Sequence, residues 1–168
     1  MLKGTPIKLP AMLDCREERA QLQSTLLTKY HKPLISFALN IPGPVKTTAE
    51  LASLFAGGLA EIRTAMERLG IPILEQHEKH EATGDEAMLV ADSEDAGIIK
   101  EAMTAIEESR PIARLFDIDV LDANGAKLSR PIPRRCLICG NIAQACARSR
   151  KHTVEELAAR IEEMLEEL

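Results

Sequence analysis

Aromatic residues are nearly absent from this chain. Its 168 residues include three Phe, one Tyr and no Trp, and its formal net charge is −5. Proteins that bind single-stranded nucleic acid stack bases on aromatic rings and present a basic surface, so this composition counts against a nucleic-acid-binding protein. No apolar run approaches the roughly 20 residues that a membrane-spanning helix needs. Residues 1–13 also lack the apolar stretch of a secretory signal, and we therefore expect a cytoplasmic protein.

Cysteine is scarce as well, and its distribution is uneven. Only Cys15 lies outside a C-terminal group formed by Cys136, Cys139 and Cys146. In a reducing compartment such a group is more typical of thiols or metal ligands than of a disulfide framework. Internal repeats, linkers and low-complexity segments are absent, so residues 1–168 are predicted to form a single domain, which at this length needs no disulfides.

The spacing of apolar residues changes several times along the chain. Helical spacing indicates helices over residues 10–30, 47–70, 93–108 and 153–168, and β-prone runs indicate strands over residues 34–41, 71–78, 86–92 and 112–121. Thr47 with Glu50 and Thr153 with Glu156 have the spacing of capping boxes. Between residues 33 and 121 the predicted order is β-α-β-β-α-β. This order predicts an α+β fold with a mainly antiparallel sheet of the ferredoxin-like or split-βαβ type, plus additional N- and C-terminal helices.

Two aspartates share one face of the last predicted strand. Asp117 and Asp119 are two residues apart, so both carboxylates leave the same face, about 6–7 Å apart along the strand. Ile118 between them must then face the core, and Arg114 is predicted to lie on the carboxylate face. A solvated surface strand has the same Asp-x-Asp pattern. The alternative is a pair of carboxylates that holds Mg²⁺ against a phosphate.

The segment after this strand is strongly basic. Arginine matches phosphate oxygens in a forked geometry, and the candidates for such contacts are Arg130, Arg134, Arg135, Arg148 and Arg150. An acidic pair beside a basic cluster suggests phosphoryl or nucleotidyl transfer. Upstream, Lys46 follows Pro42-Gly43-Pro44 just before a predicted helix, where backbone amides and an ammonium could meet a phosphate. A rigid turn between strand and helix explains that motif equally well.

Cysteine and histidine are interleaved with these arginines. The spacing Cys136-x2-Cys139-x6-Cys146-x5-His152 could supply four soft ligands to a structural Zn²⁺. The alternative is a tightly turned segment with buried thiols, because cysteine is also an ordinary small core residue.

Together these segments resemble the family of apo-citrate lyase phosphoribosyl-dephospho-coenzyme A transferases, the CitX family. The resemblance is carried by RLFDIDVL at 114–121, by RRCLIC at 134–139, and by Cys146-Ala-Arg148 with His152. It extends upstream through residues 33–46 and 84–89 and through Arg16-x-Glu18-Arg19. On spacing alone, Arg16 and Arg19 would be typical of a solvated helix face.

The resemblance implies a reaction. A phosphoribosyl-dephospho-CoA group would pass from its triphosphate precursor to a serine of the citrate lyase acyl-carrier subunit, with release of diphosphate. Asp117 and Asp119 would be the catalytic pair and would hold Mg²⁺. The residues implied in substrate binding are Lys46, Arg114, Arg130, Arg134, Arg135, Arg148, Arg150, Arg16 and Arg19.

Other interpretations stay open from the sequence. The related malonate decarboxylase synthase performs similar chemistry with an Asp-x-Asp pair. A zinc-stabilised, arginine-rich binding module and a Mg²⁺-dependent phosphohydrolase are two further alternatives from different classes. Within the transferase hypothesis, we expect Arg134 and Arg135 to bind phosphate and Arg148 and Arg150 to steer the carrier.

Overall fold

The structure is a computed structural model that describes residues 2–167. In chain order its elements are α1 (Leu9–Tyr30), β1 (Leu34–Leu39), α2 (Ala49–Arg68), β2 (Ile73–Glu81), β3 (Gly84–Ala91), α3 (Ala96–Glu108), a 3₁₀ helix (Pro111–Leu115), β4 (Phe116–Leu121), α4 (Ala143–Ser149) and α5 (Val154–Glu166). In this part of the chain, no helix combines the length and the apolar character needed to cross a membrane.

The four strands form one antiparallel sheet in the order β2-β3-β1-β4. The prediction of an α+β fold with an antiparallel sheet is therefore confirmed, and the elements from β1 to β4 follow the predicted order. Strand β1 is central, and β4 lies at an edge of the sheet. The edge position leaves one side of β4 without a neighbouring strand.

The two faces of the sheet are covered by different helices. Helices α2 and α3 pack over the main core, whose buried side chains include Ile35, Phe37, Leu89, Phe116 and Ile118. Helix α2 approaches the sheet closely at Gly58, because a Cβ atom there would lie 2.7 Å from Phe37 Cζ and 2.8 Å from Phe116 Cζ. Helix α1 packs on the other face through a smaller cluster that contains Leu26, Leu34, Met88, Val90 and Leu121. Part of this second face stays uncovered beside β4.

Helices α2 and α3 begin a few residues away from the starts that the sequence predicts. Thr48, not Thr47, caps α2 by accepting a hydrogen bond from Leu51 N. Helix α3 begins at Ala96 and not at residue 93, because the Asp95 carboxylate caps it by accepting hydrogen bonds from two backbone amides of the first turn. The capping box of Thr153 and Glu156 is confirmed at α5.

The predicted strand over 112–121 is wrong in its first part. Pro111 is placed where its fixed φ and missing N–H suit the start of a helix, and residues Pro111–Leu115 form a 3₁₀ helix instead. Strand β4 begins only at Phe116. Arg114 therefore does not lie on the carboxylate face of the strand.

Candidate active site and the Cys/His knuckle

Asp117 and Asp119 project from one face of β4. Ile118 between them is fully buried, whereas both aspartates are partly exposed, so the predicted alternation is confirmed. Their partners on β1 are Ala38 and Ser36, respectively. Ala38 is partly exposed and Ser36 is buried, so the sheet surface is more accessible beside Asp117 than beside Asp119.

The two carboxylates line a cleft of about 540 Å³ that we call the carboxylate cleft. Lys127 Nζ lies 2.7 Å from Asp119 Oδ2, and Arg134 Nη2 lies 3.5 Å from Asp117 Oδ1. Lys100 and Arg130 line the same cleft. Since the cations outnumber the carboxylates among these residues, the cleft is suited to an anionic ligand.

The free edge of β4 is occupied by side chains of α3. Ile118 N donates to Glu107 Oε1 at 2.8 Å, and Lys100 Nζ donates to Ile118 O at 3.1 Å. Both side chains come from buried residues, and burial lowers the pKa of Lys100. A buried backbone group needs a hydrogen-bond partner, and here two charged side chains take the place of a fifth strand. The backbone between the two aspartates is thereby fixed.

Two of the predicted phosphate-binding arginines join the same network. Arg134 Nη2 is hydrogen-bonded to Glu107 Oε1 and donates to Phe116 O at 2.8 Å. Arg130 Nε lies 3.4 Å from Glu107 Oε2. Glu107 therefore holds both guanidinium groups beside the carboxylate cleft.

Sequence reasoning missed Glu107 and Lys100. On α3 the apolar Ile98 is 42% exposed, whereas the charged Lys100 and Glu107 are buried. The available signal was the spacing of these residues. Lys100 and Glu107 are seven residues apart, with the buried Met103 between them, so all three lie on one helix face. Two opposite charges in that stripe indicate a buried polar network.

The segment 136–152, which we call the Cys/His knuckle, brings four predicted metal ligands together. One ligand atom from each of Cys136, Cys139, Cys146 and His152 lies within 4.8 Å of all the others. The Sγ atoms of Cys139 and Cys146 are 3.5 Å apart. His152 Nε2 is buried without a hydrogen-bond partner, which is unusual for a polar atom and fits a metal ligand.

Local backbone geometry explains why these ligands converge. Cys136 N donates to Asn141 O at 2.6 Å, and Gly140 N donates to Cys136 O at 3.2 Å. Gly140 has φ of +69°, a conformation that favours glycine. This tight turn sets Cys139 close to Cys136, and α4 then carries Cys146 over the turn.

The thiols of the Cys/His knuckle differ in acidity. Interaction with the His152 side chain lowers the pKa of Cys139. Burial raises the pKa of Cys146. Because thiolates are the form that binds metals, the environment of Cys139 favours the ligand form.

A second cleft, of about 700 Å³, is lined in part by the knuckle residues Cys136, Cys146 and His152, and we call it the arginine cleft. Its basic residues include Arg114, Arg135 and Arg150, and Arg134 lines both clefts. Arg114 Nη2 is hydrogen-bonded to the Arg135 backbone oxygen. The apolar part of the wall of the arginine cleft consists of Pro42, Leu137, Ala143, Ala147, Val154 and Leu157. Arg150 thus shares a cleft with Arg135, whereas Arg148 is exposed on α4.

The remaining basic candidates lie near α1 and the loop after β1. Arg19 forms an ion pair with Glu86 on the same sheet face as the aspartates, one strand beyond Ala38. Lys46 Nζ donates to the carbonyl oxygen of residue 41 at 2.6 Å, and burial, together with the charge of Arg16, lowers its pKa. Arg16 is exposed. These side chains form a second basic region at the other side of the sheet face.

Comparison with known proteins identifies the family. The family model described as CitX, apo-citrate lyase phosphoribosyl-dephospho-CoA transferase, matches residues 7–168. The chain belongs to the CitX family. It is a transferase that attaches the phosphoribosyl-dephospho-CoA prosthetic group to apo-citrate lyase.

Relatives in the CitX family match nearly the whole chain. A probable apo-citrate lyase phosphoribosyl-dephospho-CoA transferase of Vibrio cholerae serotype O1 (strain M66-2) is 38% identical over 162 residues, which cover 94% of this chain and 91% of the relative. The transferase of Shigella boydii serotype 18 is 36% identical over 166 residues, covering 96% and 90%. Protein CitXG of Haemophilus influenzae is 39% identical over 166 residues, but this chain spans only 36% of that protein.

Proposed function

We propose that the carboxylate cleft is the reaction centre of the transferase. The serine hydroxyl of the citrate lyase acyl-carrier subunit attacks the phosphorus next to the ribose of the triphosphate precursor. A phosphodiester bond to serine forms, the bond to the diphosphate leaving group breaks, and the hydroxyl proton is released to solvent. This reaction needs groups that orient a polyphosphate and balance the charge on its oxygens.

The observation that carries the proposal is the fixed pair of Asp117 and Asp119 in a cleft lined by cations. Carboxylate oxygens are the donors that Mg²⁺ prefers, so the pair fits this ion and would hold it. When bound, Mg²⁺ neutralises phosphate charge and polarises the phosphoryl group. Arg134 and Lys127 lie within 3.5 Å and 2.7 Å of the carboxylates. They are placed to contact the phosphate oxygens, and Arg130 lines the same cleft.

The substrate-binding roles implied for the other basic residues follow their positions. Arg114, Arg135 and Arg150 are assigned to the part of the precursor that extends beyond the triphosphate. Arg148 is exposed outside both clefts and is assigned to steering of the acidic carrier surface. Lys46, Arg16 and Arg19 remain candidates for substrate contact from the α1 side, where Arg19 is already paired with Glu86.

We propose a structural Zn²⁺ for the Cys/His knuckle. Three thiols and one imidazole match the ligand set of closed, tetrahedral zinc sites. The buried and unpartnered Nε2 of His152 supports this assignment. Zinc would fix the segment that carries Arg135 and Arg150. A cytoplasmic location, as expected from the sequence, would keep the unbound thiols reduced.

We assign the fold to the split-βαβ, ferredoxin-like type. The β-α-β-β-α-β order and the strand order β2-β3-β1-β4 support this assignment. Helices α1, α4 and α5 are then additions to the common core. Of these, α4 and α5 surround the arginine cleft.

Mass spectrometry of the carrier tests the proposed reaction. Purified apo-carrier is incubated with the triphosphate precursor, Mg²⁺ and the enzyme, and the expected mass gain is one prosthetic group on serine. Asp117→Asn and Asp119→Asn should each abolish the gain while leaving the thermal unfolding midpoint nearly unchanged. Asp92→Asn, at the opposite end of the sheet, removes the same charge and should retain activity. Near-normal transfer by either site variant contradicts the proposal, and precursor hydrolysis without a carrier mass gain indicates a phosphohydrolase.

A further inference from the structure

The arginine cleft contains two guanidinium groups without partners. Within residues 2–167, neither Arg135 nor Arg150 donates a side-chain hydrogen bond or forms an ion pair, whereas Arg130 and Arg134 are both bound to Glu107. Arg150 is held in a left-handed conformation with φ of 49°, directly after α4. Free guanidinium groups at the rim of a cleft are suited to bidentate contacts with phosphate oxygens.

The rest of this cleft is largely apolar. Leu137 and Leu157 line it, and no Asp or Glu side chain does so in the described part of the chain. The loop after β1 contacts the start of α5, because a Cβ atom at Gly43 would lie 2.9 Å from Val154 Cγ1. The volume of the arginine cleft, about 700 Å³, falls within the range of roughly 300–1,000 Å³ that is usual for small-molecule sites.

The chemistry of the two clefts divides the precursor. The carboxylate cleft has the carboxylate oxygens that would hold a metal-bound triphosphate. Among the described residues, no carboxylate lines the arginine cleft. Dephospho-CoA contains a diphosphate that joins adenosine to an uncharged pantetheine arm. A pair of free arginines beside an apolar wall matches that combination. Arg134 and Ala143 line both clefts, so one molecule can extend from one into the other.

We propose that the arginine cleft is the subsite for the dephospho-CoA moiety of the precursor. Arg135 and Arg150 bind its diphosphate, and the wall formed by Leu137, Val154 and Leu157 packs against its pantetheine arm. This inference rests on the proposed function, because it places the triphosphoribosyl end beside Asp117 and Asp119.

The test is a calorimetric titration with dephospho-CoA itself, without Mg²⁺ and without the carrier. The double variant Arg135→Ala/Arg150→Ala should weaken binding by about tenfold or more, because two charge-assisted contacts are lost. Val154→Asp should also weaken binding, since it adds a negative charge to the cleft at the first position of α5, where Asp is compatible with the helix. Val154→Asn is the matched neutral control and should bind more tightly than Val154→Asp.

Asp117→Asn separates this inference from the proposed reaction. That variant should bind dephospho-CoA like the unmodified protein, although it is expected to lose transfer. The subsite assignment is overturned if the unmodified protein does not bind dephospho-CoA or if the double arginine variant binds it unchanged. It is also overturned if Asp117→Asn weakens binding as much as the arginine variant does. Loss of transfer in Asp117→Asn with unchanged dephospho-CoA binding supports both proposals. Retained transfer contradicts the reaction centre alone.

Discussion

Replacement of Glu107 by alanine should destabilise the whole domain and not only the end of α3. The carboxylate is 3% exposed and is shared by Ile118 N, Arg130 and Arg134. Its removal leaves a buried amide without an acceptor and takes from Arg130 and Arg134 their buried counter-charge. Each arginine then keeps only a more exposed carboxylate, Glu108 for Arg130 and Asp117 for Arg134. Breaking a buried ion pair by removing one partner costs about 3–5 kcal/mol. Because the arginine side chains are 15% and 24% exposed, water can compensate them in part, and we expect about 3 kcal/mol, the low end of that range.

For a domain of this size, that loss corresponds to a decrease of about 6–12 °C in the thermal unfolding midpoint. Circular dichroism at 222 nm or differential scanning calorimetry measures it directly. The neighbouring Glu108→Ala variant is the matched control, since Glu108 is 52% exposed and pairs with Arg130 at 2.8 Å. An exposed pair of this kind contributes about 0–1 kcal/mol, so the control should lose at most about 4 °C.

Equal midpoints for Glu107→Ala and Glu108→Ala would refute this reasoning. Glu107→Gln should lie between Glu107→Ala and the unmodified protein, because its amide oxygen can still accept from Ile118 N but carries no charge for the arginines. A Gln variant as unstable as the Ala variant would indicate that the charge, and not the acceptor, carries the stabilisation.

Two further predictions concern the metal and the packing of α2. Protein purified without added metal should contain one zinc per chain by elemental analysis. Both chelation and Cys139→Ser should lower the unfolding midpoint. The absence of stoichiometric zinc, together with freely titratable thiols, would contradict the zinc site. Gly58→Ala should destabilise by about 1–3 kcal/mol, because the new methyl group would overlap Phe37 and Phe116. The adjacent Gly57→Ala meets no atom within 4 Å and should stabilise α2 by about 0.5–1 kcal/mol. Midpoint shifts of the same sign in both glycine variants would show that the packing argument is wrong.

The sequence was informative wherever a local pattern decided the structure. The alternation around Ile118 fixed the orientation of both aspartates, and the spacing of Thr153 and Glu156 predicted the start of α5. The convergence of the Cys/His knuckle also followed from spacing, with Gly140 supplying the left-handed turn.

Tertiary contacts decided the features that the sequence did not reveal. Glu107 resembles an ordinary polar residue at the end of a helix, and its burial depends on the free edge of β4 and on arginines more than 20 residues away in sequence. Arg114 was misplaced because Pro111 starts a 3₁₀ helix in a segment whose apolar residues suit a strand. The grouping of Arg150 with Arg135 depends on the left-handed turn after α4, which no local pattern predicted.

If the carrier serine reacts in the carboxylate cleft as proposed, the closed edge of β4 constrains how it can approach. The outward carbonyl of Phe116 accepts from Arg134, both outward groups of Ile118 bond to α3, and Val120 O accepts from Leu128 N at 2.9 Å. These four backbone groups are therefore not available to an added strand, the mode by which many proteins capture an extended peptide. On the proposed assignment, the carrier loop must reach the aspartates from the face of the sheet that bears them, on the side of the partly exposed Ala38 and Asp117. Selectivity among carriers would then depend on side chains around that opening and not on backbone pairing.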